Sequence, residues 1–395
     1  MMNILHTVEL YSPIQGGAQE VIKQISERLV DKGHKVTIAT TYCKDRNFKD
    51  LHGVHIEEFD VSGNSIRGIK EGKKGEVDRY IEFVKNGHFD IMMNYAAQQW
   101  TADCIMPHIE YVNFPAIFAP CGFSGLYNRN YDDYFSQIPN YLRNYAAHIL
   151  HSSVYRDAQF YRDNDIPFHV ITNAASETEF NSPAQINFRK KYGVAENVPL
   201  LLTVGSHTGF KGHRLVIEAF RQANIGKSVL AIIGNTVSND NCLMDCKRRA
   251  WRSYIYSMGK KKVLVLDIPR DEVIAAYQAA DVFVFGSNIE CSPLVLFEAM
   301  ASATPFIASN AGNSEEIAQW SEAGFIVQSE VNENGYVYAS RTEFAQKIEN
   351  VLADKSTLEK MKQKGKENWQ KRFTWDFIST EYEKLYSEVI TSHKQ

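Results

Sequence analysis

The sequence predicts an α/β protein made of two doubly wound domains with parallel sheets. A strand, glycine turn, helix, strand succession opens the chain at residue 3, and the same succession restarts near residue 199. The length of 395 residues also exceeds the roughly 100–200 of a typical domain. Apolar residues make up 44% and charged residues 23% of the chain, both ordinary for folded proteins, which disfavours collagenous, disordered and membrane-spanning classes. With 43 Lys and Arg against 47 Asp and Glu, the formal charge is -4. No nucleic-acid partner is therefore expected, and any polyanion would need a local basic patch.

The first unit begins with a strand over Asn3 to Thr7, a turn at Gly16-Gly17, a helix over Gln19 to Lys32 and a strand over Lys35 to Thr41. Val21, Ile22, Ile25, Leu29 and Val30 form one apolar stripe along that helix, and Gly33 stops it. Two strands joined by a helical crossover imply parallel pairing. In the second half, Pro199 to Val204 is a short apolar run, followed by Gly205, a polar turn through Lys211-Gly212, and a helix bearing Leu215, Val216, Ala219 and Phe220. Strands follow at 229–234, 262–267, 282–285 and 305–309, alternating with helices at 271–280 and 293–303. The two halves share this architecture without a sequence repeat.

Between the halves, Ile171 to Phe180 is rich in small and polar residues and precedes Pro183, so the linker is expected there, with a boundary near 175–195. The expected division is 1–180, 181–372, and a C-terminal helical segment 373–395 that crosses back to the first domain. Trp375, Phe377, Ile378, Tyr382, Leu385 and Val389 give that segment a packing face. Residues 111–161 are crowded with Tyr and Phe, which read as a helix pair facing the core; the functional alternative is a platform for a sugar or lipid acceptor.

Six cysteines, at 43, 104, 121, 242, 246 and 291, are too few and too scattered for a disulfide scaffold. Reduced thiols, together with an N-terminus unlike a secretion signal and no apolar run of bilayer length, lead us to expect a cytoplasmic protein.

In open α/β sheets ligands bind outside the C-terminal ends of the strands. The run Val282 to Phe285 leads there into Gly286-Ser-Asn-Ile-Glu290-Cys-Ser292-Pro293-Leu294, ending at Glu298. Ser292 is expected to cap the next helix, with Pro293 at its first position. The free N–H groups of that helix suit a phosphate, and Glu298, set further along it, suits a pair of ribose hydroxyls. Lys211 stands in Gly205-Ser206-His-Thr-Gly-Phe-Lys211-Gly212, which is not a Walker A loop because Phe210 and Gly212 occupy its Gly and Ser/Thr positions. Its alternatives are a solvated lysine and a phosphate contact. Gly16-Gly17 would let backbone N–H groups approach an anion. The dinucleotide fingerprint Gly-x-Gly-x-x-Gly does not occur. Asp163-Asn164-Asp165 spells the Asp-x-Asp of metal-dependent transferases but precedes Pro167 on the approach to the linker, and reads as structural.

These motifs resemble the retaining glycosyltransferases of family 4, also described as group 1, whose architecture is GT-B: two Rossmann-like domains facing across a cleft. The resemblance rests on Glu290 and Glu298 with seven residues between them and Ala299-Met300 behind. It also rests on the turn at Gly16-Gly17-Ala18, the turn from Val204-Gly205 to Lys211-Gly212, Ile171-Thr-Asn173, and Phe373-Thr-Trp375. It implies a donor site of Gly16, Gly17, Gly205, Ser206, Lys211, Glu290, Ser292, Pro293, Leu294 and Glu298. In that site Lys211 neutralises the donor diphosphate, Glu298 holds the ribose, Glu290 touches the transferred sugar, and Ser292 and Leu294 offer backbone N–H groups. Gly17 would touch the phosphate from the opposite domain as the cleft closes. Glu290 and Lys211 are the implied catalytic pair, and Cys121, Gly122 and Phe123 the implied acceptor or sugar contacts. No metal and no cofactor is implied beyond a UDP- or GDP-linked sugar as co-substrate.

Two positions depart from the family pattern. Ser206 stands where an Arg usually partners the Lys, leaving the site one cation short unless His207, His213, Arg214 or Arg270 compensates. Cys121 stands where many members carry a His. The implied reaction is transfer of a hexosyl group, with retention, to a glycan or lipid-linked acceptor in polysaccharide synthesis. A basic cluster at Lys247, Arg248, Arg249, Arg252 and 260–262, interleaved with Trp251, Tyr254 and Tyr256, suggests peripheral contact with the inner membrane face; the plainer alternative is a solvated helix face. Other readings on the same fold are a nucleotide-sugar epimerase, a phosphorylase, which is disfavoured by the shorter chain, and a sugar-nucleotide binding protein without turnover.

Overall fold

A computed structural model describes residues 1–14, 16–63, 73–236 and 242–394. The chain forms two units, Met1–Asn173 with Trp375–Gln395, and Ala174–Thr374.

In the first unit the strands are β1 (Asn3–Thr7), β2 (Lys35–Thr41), β3 (Asp50–Leu51), β4 (Val54–Phe59), β5 (Val61–Ser62), β6 (Lys74–Gly75), β7 (Ile91–Tyr95), β8 (Ala116–Ala119), β9 (Ala147–Leu150) and β10 (His169–Val170). Among the described residues, eight form one sheet in the order β10-β9-β8-β7-β1-β2-β4-β3, while β5 and β6 pair separately. Within the sheet every pairing is parallel except β3 with β4. The central strands are buried, which is why they read as continuous apolar runs and not as alternating ones.

The first helix, Gly17–Asp31, buries Val21, Ile22, Ile25 and Leu29, the stripe read from the sequence. Against it packs the C-terminal helix Trp375–His393, so the chain returns to the first unit after completing the second; Gln395, last in the expected 373–395 segment, lies outside the described residues. Polar anchors fix this helix. His6 sits 2.8 Å from Ser26 Oγ and 2.9 Å from Tyr386 Oη, and His34 Nε2 lies 2.9 Å from Glu383. Most of the aromatic stretch is core, with Tyr134, Tyr145, Tyr161, Phe118, Phe123 and Phe135 all buried, while Tyr111 and Tyr127 are exposed; it is built from β8, β9 and helices and not from a helix pair alone.

The second unit holds β11 (Leu200–Val204), β12 (Ser228–Ile233), β13 (Lys261–Leu266), β14 (Val282–Phe285), β15 (Phe306–Ser309) and β16 (Gly324–Val327). Their order, β13-β12-β11-β14-β15-β16, is all parallel, the doubly wound order in which the winding reverses between the first and fourth strands. A short antiparallel pair, β17 (Ser329–Val331) with β18 (Val337–Ala339), follows. The stretch after Asn173 is no bare connector: Ala175, Phe180, Phe188 and Val194 lie in the core of this unit.

Buried titratable groups set the pH response of the first unit. Burial lowers His6 to about 3 and His148 to about 4. It also lowers His151, against the pull of the Ile171 carbonyl. Burial raises Asp103 and Asp157 to about 7. From about pH 4 to pH 6.5 the unfolded chain binds protons on three imidazoles that the fold excludes, so these favour the fold as pH rises. Over the same window the fold keeps two carboxyl protons that the unfolded chain loses, which works the other way. Counting the half-buried Glu9, which burial also raises, and the buried His213 of the second unit, which burial lowers, four imidazoles outweigh three carboxyls, and above about pH 6.5 only the carboxyl effect persists, until about pH 7. The thermal midpoint is therefore expected to peak near pH 6.5 in a calorimetric series. A midpoint that stays level from pH 6.5 to pH 8 would mean that both carboxyls are already ionised in the fold.

Candidate active site

The reversal between β11 and β14 places two loops side by side at the C-terminal edge of the second sheet. Backbone contacts lock them together. Gly212, at φ +68, lies so close to Gly286 that a Cβ would fall 1.7 Å from its carbonyl oxygen, and Asn288 donates its N–H to Phe210 O at 2.8 Å. Gly234, after β12, meets Gly205 in the same way, at 1.9 Å for a Cβ. The loop after β15 joins them through Asn313 N–H to Cys291 O, 2.9 Å. A fifth segment, at the start of β18, exchanges hydrogen bonds between Val337 and Asn288 of 2.8 and 2.7 Å, and Tyr336 stacks on Phe210 with ring centroids 5.4 Å apart. Five segments thus make one rim.

Within it, Lys211 and Glu290, 79 residues apart, form an ion pair of 2.6 Å. Ser287 donates to the same carboxylate oxygen at 2.8 Å, and Ser309 holds the Ser287 carbonyl at 2.7 Å. The lysine is a third exposed and the glutamate less so, so the cation stays reachable. The stem of Lys211 lies over Gly205, where a Cβ would stand 3.3 Å from its Cγ. Glu298 sits on the helix Leu294–Ala301 and is buried. Arg270 donates to it at 2.5 Å and to both oxygens of Glu179 at 3.0 and 2.7 Å. Burial opposes that guanidinium's charge, but the carboxylates of Glu298 and Glu179 outweigh it and raise its pKa.

Several expectations change here. Pro293, with φ -72 and ψ 115, is the cap of the helix and Leu294 its first residue. Its extended ψ keeps it outside the helical turn, so Ser292 stands one place before the cap, with its side chain buried. Of the four candidate replacements for the missing Arg, Arg214 and Arg270 pair with other carboxylates, and His207 and His213 are buried against each other. His213 is pushed down to about 3 by burial and by the nearby His207 and Lys211, so it is uncharged at neutral pH. His207 lies against His213 in the same buried position. Arg214 reaches out to Glu218, and Arg270 serves Glu298. Ser206 is half-buried beside the loop.

In the first unit, Gly16 and Gly17 are exposed at the start of the first helix, and a Cβ at Gly17 would touch nothing within 4 Å. Packing within the unit therefore does not demand a glycine at 17. Cys121 and Gly122 form a left-handed turn after β8, φ 56 and 84. Phe123 is not available as a sugar contact: it is wholly buried, in edge contact with Phe135 and Phe160 and stacked near Tyr161.

The sequence reading missed the partners of Cys121. Tyr95 Oη lies 3.4 Å from its Sγ and 2.9 Å from His151 Nε2, and His151 Nδ1 donates to the Ile171 carbonyl at 2.8 Å. That last bond sets the tautomer, leaving Nε2 as the acceptor. Ala96 and Gln98 also adopt positive φ, 69 and 61, so three strained non-glycine residues cluster at this sheet edge. A His directly after the end of a strand, here β9, carries no motif, and this relay had no sequence signal. Asp163 and Asn164 bond to Gln159 and Phe160 on their own helix, as structural residues do.

On the helix Cys242–Tyr256, Trp251, Tyr254, Ile255 and Tyr256 are exposed. Arg248 and Arg249 pair with Asp245 and, for Arg249, also Glu218. Lys261 is buried, capping the Phe220 and Ala223 carbonyls, and so leaves the basic patch. Among the described residues no helix is long and apolar enough to cross a membrane.

Comparison with known proteins follows this geometry. Residues 184–368 match the family model described as glycosyl transferases group 1. An uncharacterised glycosyltransferase of Methanocaldococcus jannaschii is 26% identical over 398 residues, 95% of each chain. Among solved structures, the sucrose-phosphate synthase of Thermosynechococcus elongatus superposes with a TM-score of 0.78 at 18% identity, over 99% of this chain and 100% of that one. Anabaena HepE in complex with UDP and glucose gives 0.73 at 17%, over 98% and 100%.

Proposed function

We propose, on the premise that residues 184–368 make this chain a group 1 glycosyltransferase of GT-B fold, that it transfers a hexosyl group from a UDP- or GDP-linked sugar with retention. The observation that carries the reading is the Lys211–Glu290 pair at the β11/β14 reversal, beside the N-terminus of the helix Leu294–Ala301. Breaking the bond between the sugar's anomeric carbon and the phosphate oxygen leaves the electron pair on the diphosphate and positive charge on the ring. The Lys211 ammonium and the helix N–H groups stand where that negative charge develops. When the diphosphate takes Lys211 Nζ, Glu290 is released to the hydroxyls of the sugar. Glu298, oriented by Arg270, accepts the ribose hydroxyls.

The acceptor hydroxyl bonds to the anomeric carbon on the face that the diphosphate leaves, and its proton passes to the departing phosphate oxygen. This gives retention without a protein nucleophile. The acceptor side falls to the first unit, at the sheet edge that carries Cys121 and Gly122. A glycan or lipid-linked acceptor fits the exposed Trp251, Tyr254 and Tyr256 with their neighbouring Lys247 and Arg252, a composition suited to the face of an anionic membrane.

A thermal-shift panel of UDP, GDP and ADP tests the reading. The cognate diphosphate at 100 times its Kd is expected to stabilise the protein by about 2.7 kcal/mol, and the matching donor sugar should yield product of unchanged anomeric configuration by NMR. No shift with any of the three would remove the nucleotide-sugar reading. Conversion of donor without an acceptor would replace transfer by epimerisation.

A further inference from the structure

We propose that His207, His213, Cys242 and Cys246 bind one zinc ion in a closed, structural site. The donor atoms of these four residues all lie within 4.8 Å of one another. Nδ1 of His207 is 3.3 Å from Nδ1 of His213, and Sγ of Cys242 is 3.6 and 4.0 Å from those two nitrogens. A tetrahedral zinc with bonds of about 2.05 Å to nitrogen and 2.3 Å to sulfur needs edges of roughly 3.3 Å between two nitrogens and 3.6 Å between nitrogen and sulfur. Two of the three edges already have those lengths, and the third is within about half an ångström.

The chemistry of the donors selects the ion. Two thiolates and two imidazoles in a tetrahedron suit zinc and disfavour the hard cations that prefer oxygen. Each thiol gives its proton to solvent on binding, with no change of oxidation state. A divalent ion with two thiolates and two neutral imidazoles carries no net charge, so the cluster can be buried without the penalty of an isolated charge. His207, His213 and Cys246 are at most 2% exposed and Cys242 is half-buried, and four protein ligands leave no open position for a substrate. This is the mark of a structural site.

The fold explains why the four meet. Cys242 and Cys246 are one turn apart at the start of the helix Cys242–Tyr256 and share one face. His207 follows β11, held by its N–H to the Asn235 carbonyl at 2.9 Å beyond β12, and His213 opens the helix His213–Gln222. The two histidines bracket the turn that carries Lys211. The ion therefore ties both ends of that turn to a separate helix, a role that stands whether or not Lys211 binds a phosphate.

The full-length protein, purified under reducing conditions without chelator, tests this directly. Elemental analysis is expected to give about one zinc per chain, and exchange for cobalt to give the intense visible bands of a tetrahedral ion with a thiolate charge-transfer band. Cys246→Ser should weaken the charge-transfer band, while Cys43→Ser should leave it unchanged. The wild-type cobalt spectrum decides even if Cys246→Ser fails to fold. Less than about a tenth of an ion per chain, with no such bands when cobalt is added to the folded protein, would overturn the proposal. A Cys242–Cys246 disulfide, detected as a mass loss of two hydrogens, would overturn it as well.

Discussion

Lys211→Ala is expected to lower kcat/KM by about 10²–10³-fold, the range seen when one preorganised charge-stabilising donor is removed from a transition state. The loss should appear in nucleotide diphosphate affinity as well, because in the proposed reaction the lysine meets the diphosphate before and during bond breaking. Glu290 would keep Ser287 at 2.8 Å but lose its cation, so it would also hold the sugar less well. Stability should change little, since a pair with a third of the lysine exposed contributes on the order of 0–1 kcal/mol. Steady-state kinetics, calorimetry with the diphosphate and a melting curve separate these effects. Unaltered diphosphate affinity in a folded variant would take Lys211 out of the site.

Gly212→Ala should act through the fold and reach the chemistry from there. At φ +68 the new Cβ would fall 1.7 Å from the Gly286 carbonyl oxygen, a backbone atom that can yield only if the β11 and β14 loops separate. Strain at positive φ adds roughly 1–2 kcal/mol, and forced separation of packed backbone brings the expected destabilisation to about 3–5 kcal/mol. The Lys211–Glu290 pair bridges the same two loops, so activity should fall more than about tenfold even below the melting point. Gly193→Ala is the control: its φ is +65, yet nothing lies within 4 Å of the added Cβ. It should lose only the strain, about 1–2 kcal/mol, and keep its activity. Equal melting points for the two variants would show that the loops tolerate the methyl group.

Much of the fold was legible because its signals are local. The runs at Leu200–Val204 and Val282–Phe285 declare themselves as buried strands, and the stripe from Val21 to Leu29 declares a helix, since each depends on neighbours within a few residues. Glu290 and Lys211 were also legible, as residues at strand ends in a doubly wound pattern. What local signals could not supply is partnership. Arg270 looked like a spare cation for the diphosphate, but the structure gives it to Glu298 and Glu179. His207 and His213 looked like further cations, but burial and Cys242 change what they can do. Phe123 was expected at the sugar or acceptor from the resemblance at 121–123, but its ring neighbours place it in the core, where the aromatic stretch itself was read to lie.

By itself, then, the sequence determined the elements, their α/β alternation and the strand ends at which the candidate binding residues stand, because periodicity and turn chemistry act over a few residues of chain. Only the tertiary structure decided which of those residues meet. The pairing of β11 with β14 and with β12 brings Lys211 to Glu290 and sets His207 and His213 against Cys242 and Cys246. Strand order is a choice among packings that all satisfy the same local pattern, and it is settled by burial and backbone contact summed over the whole sheet.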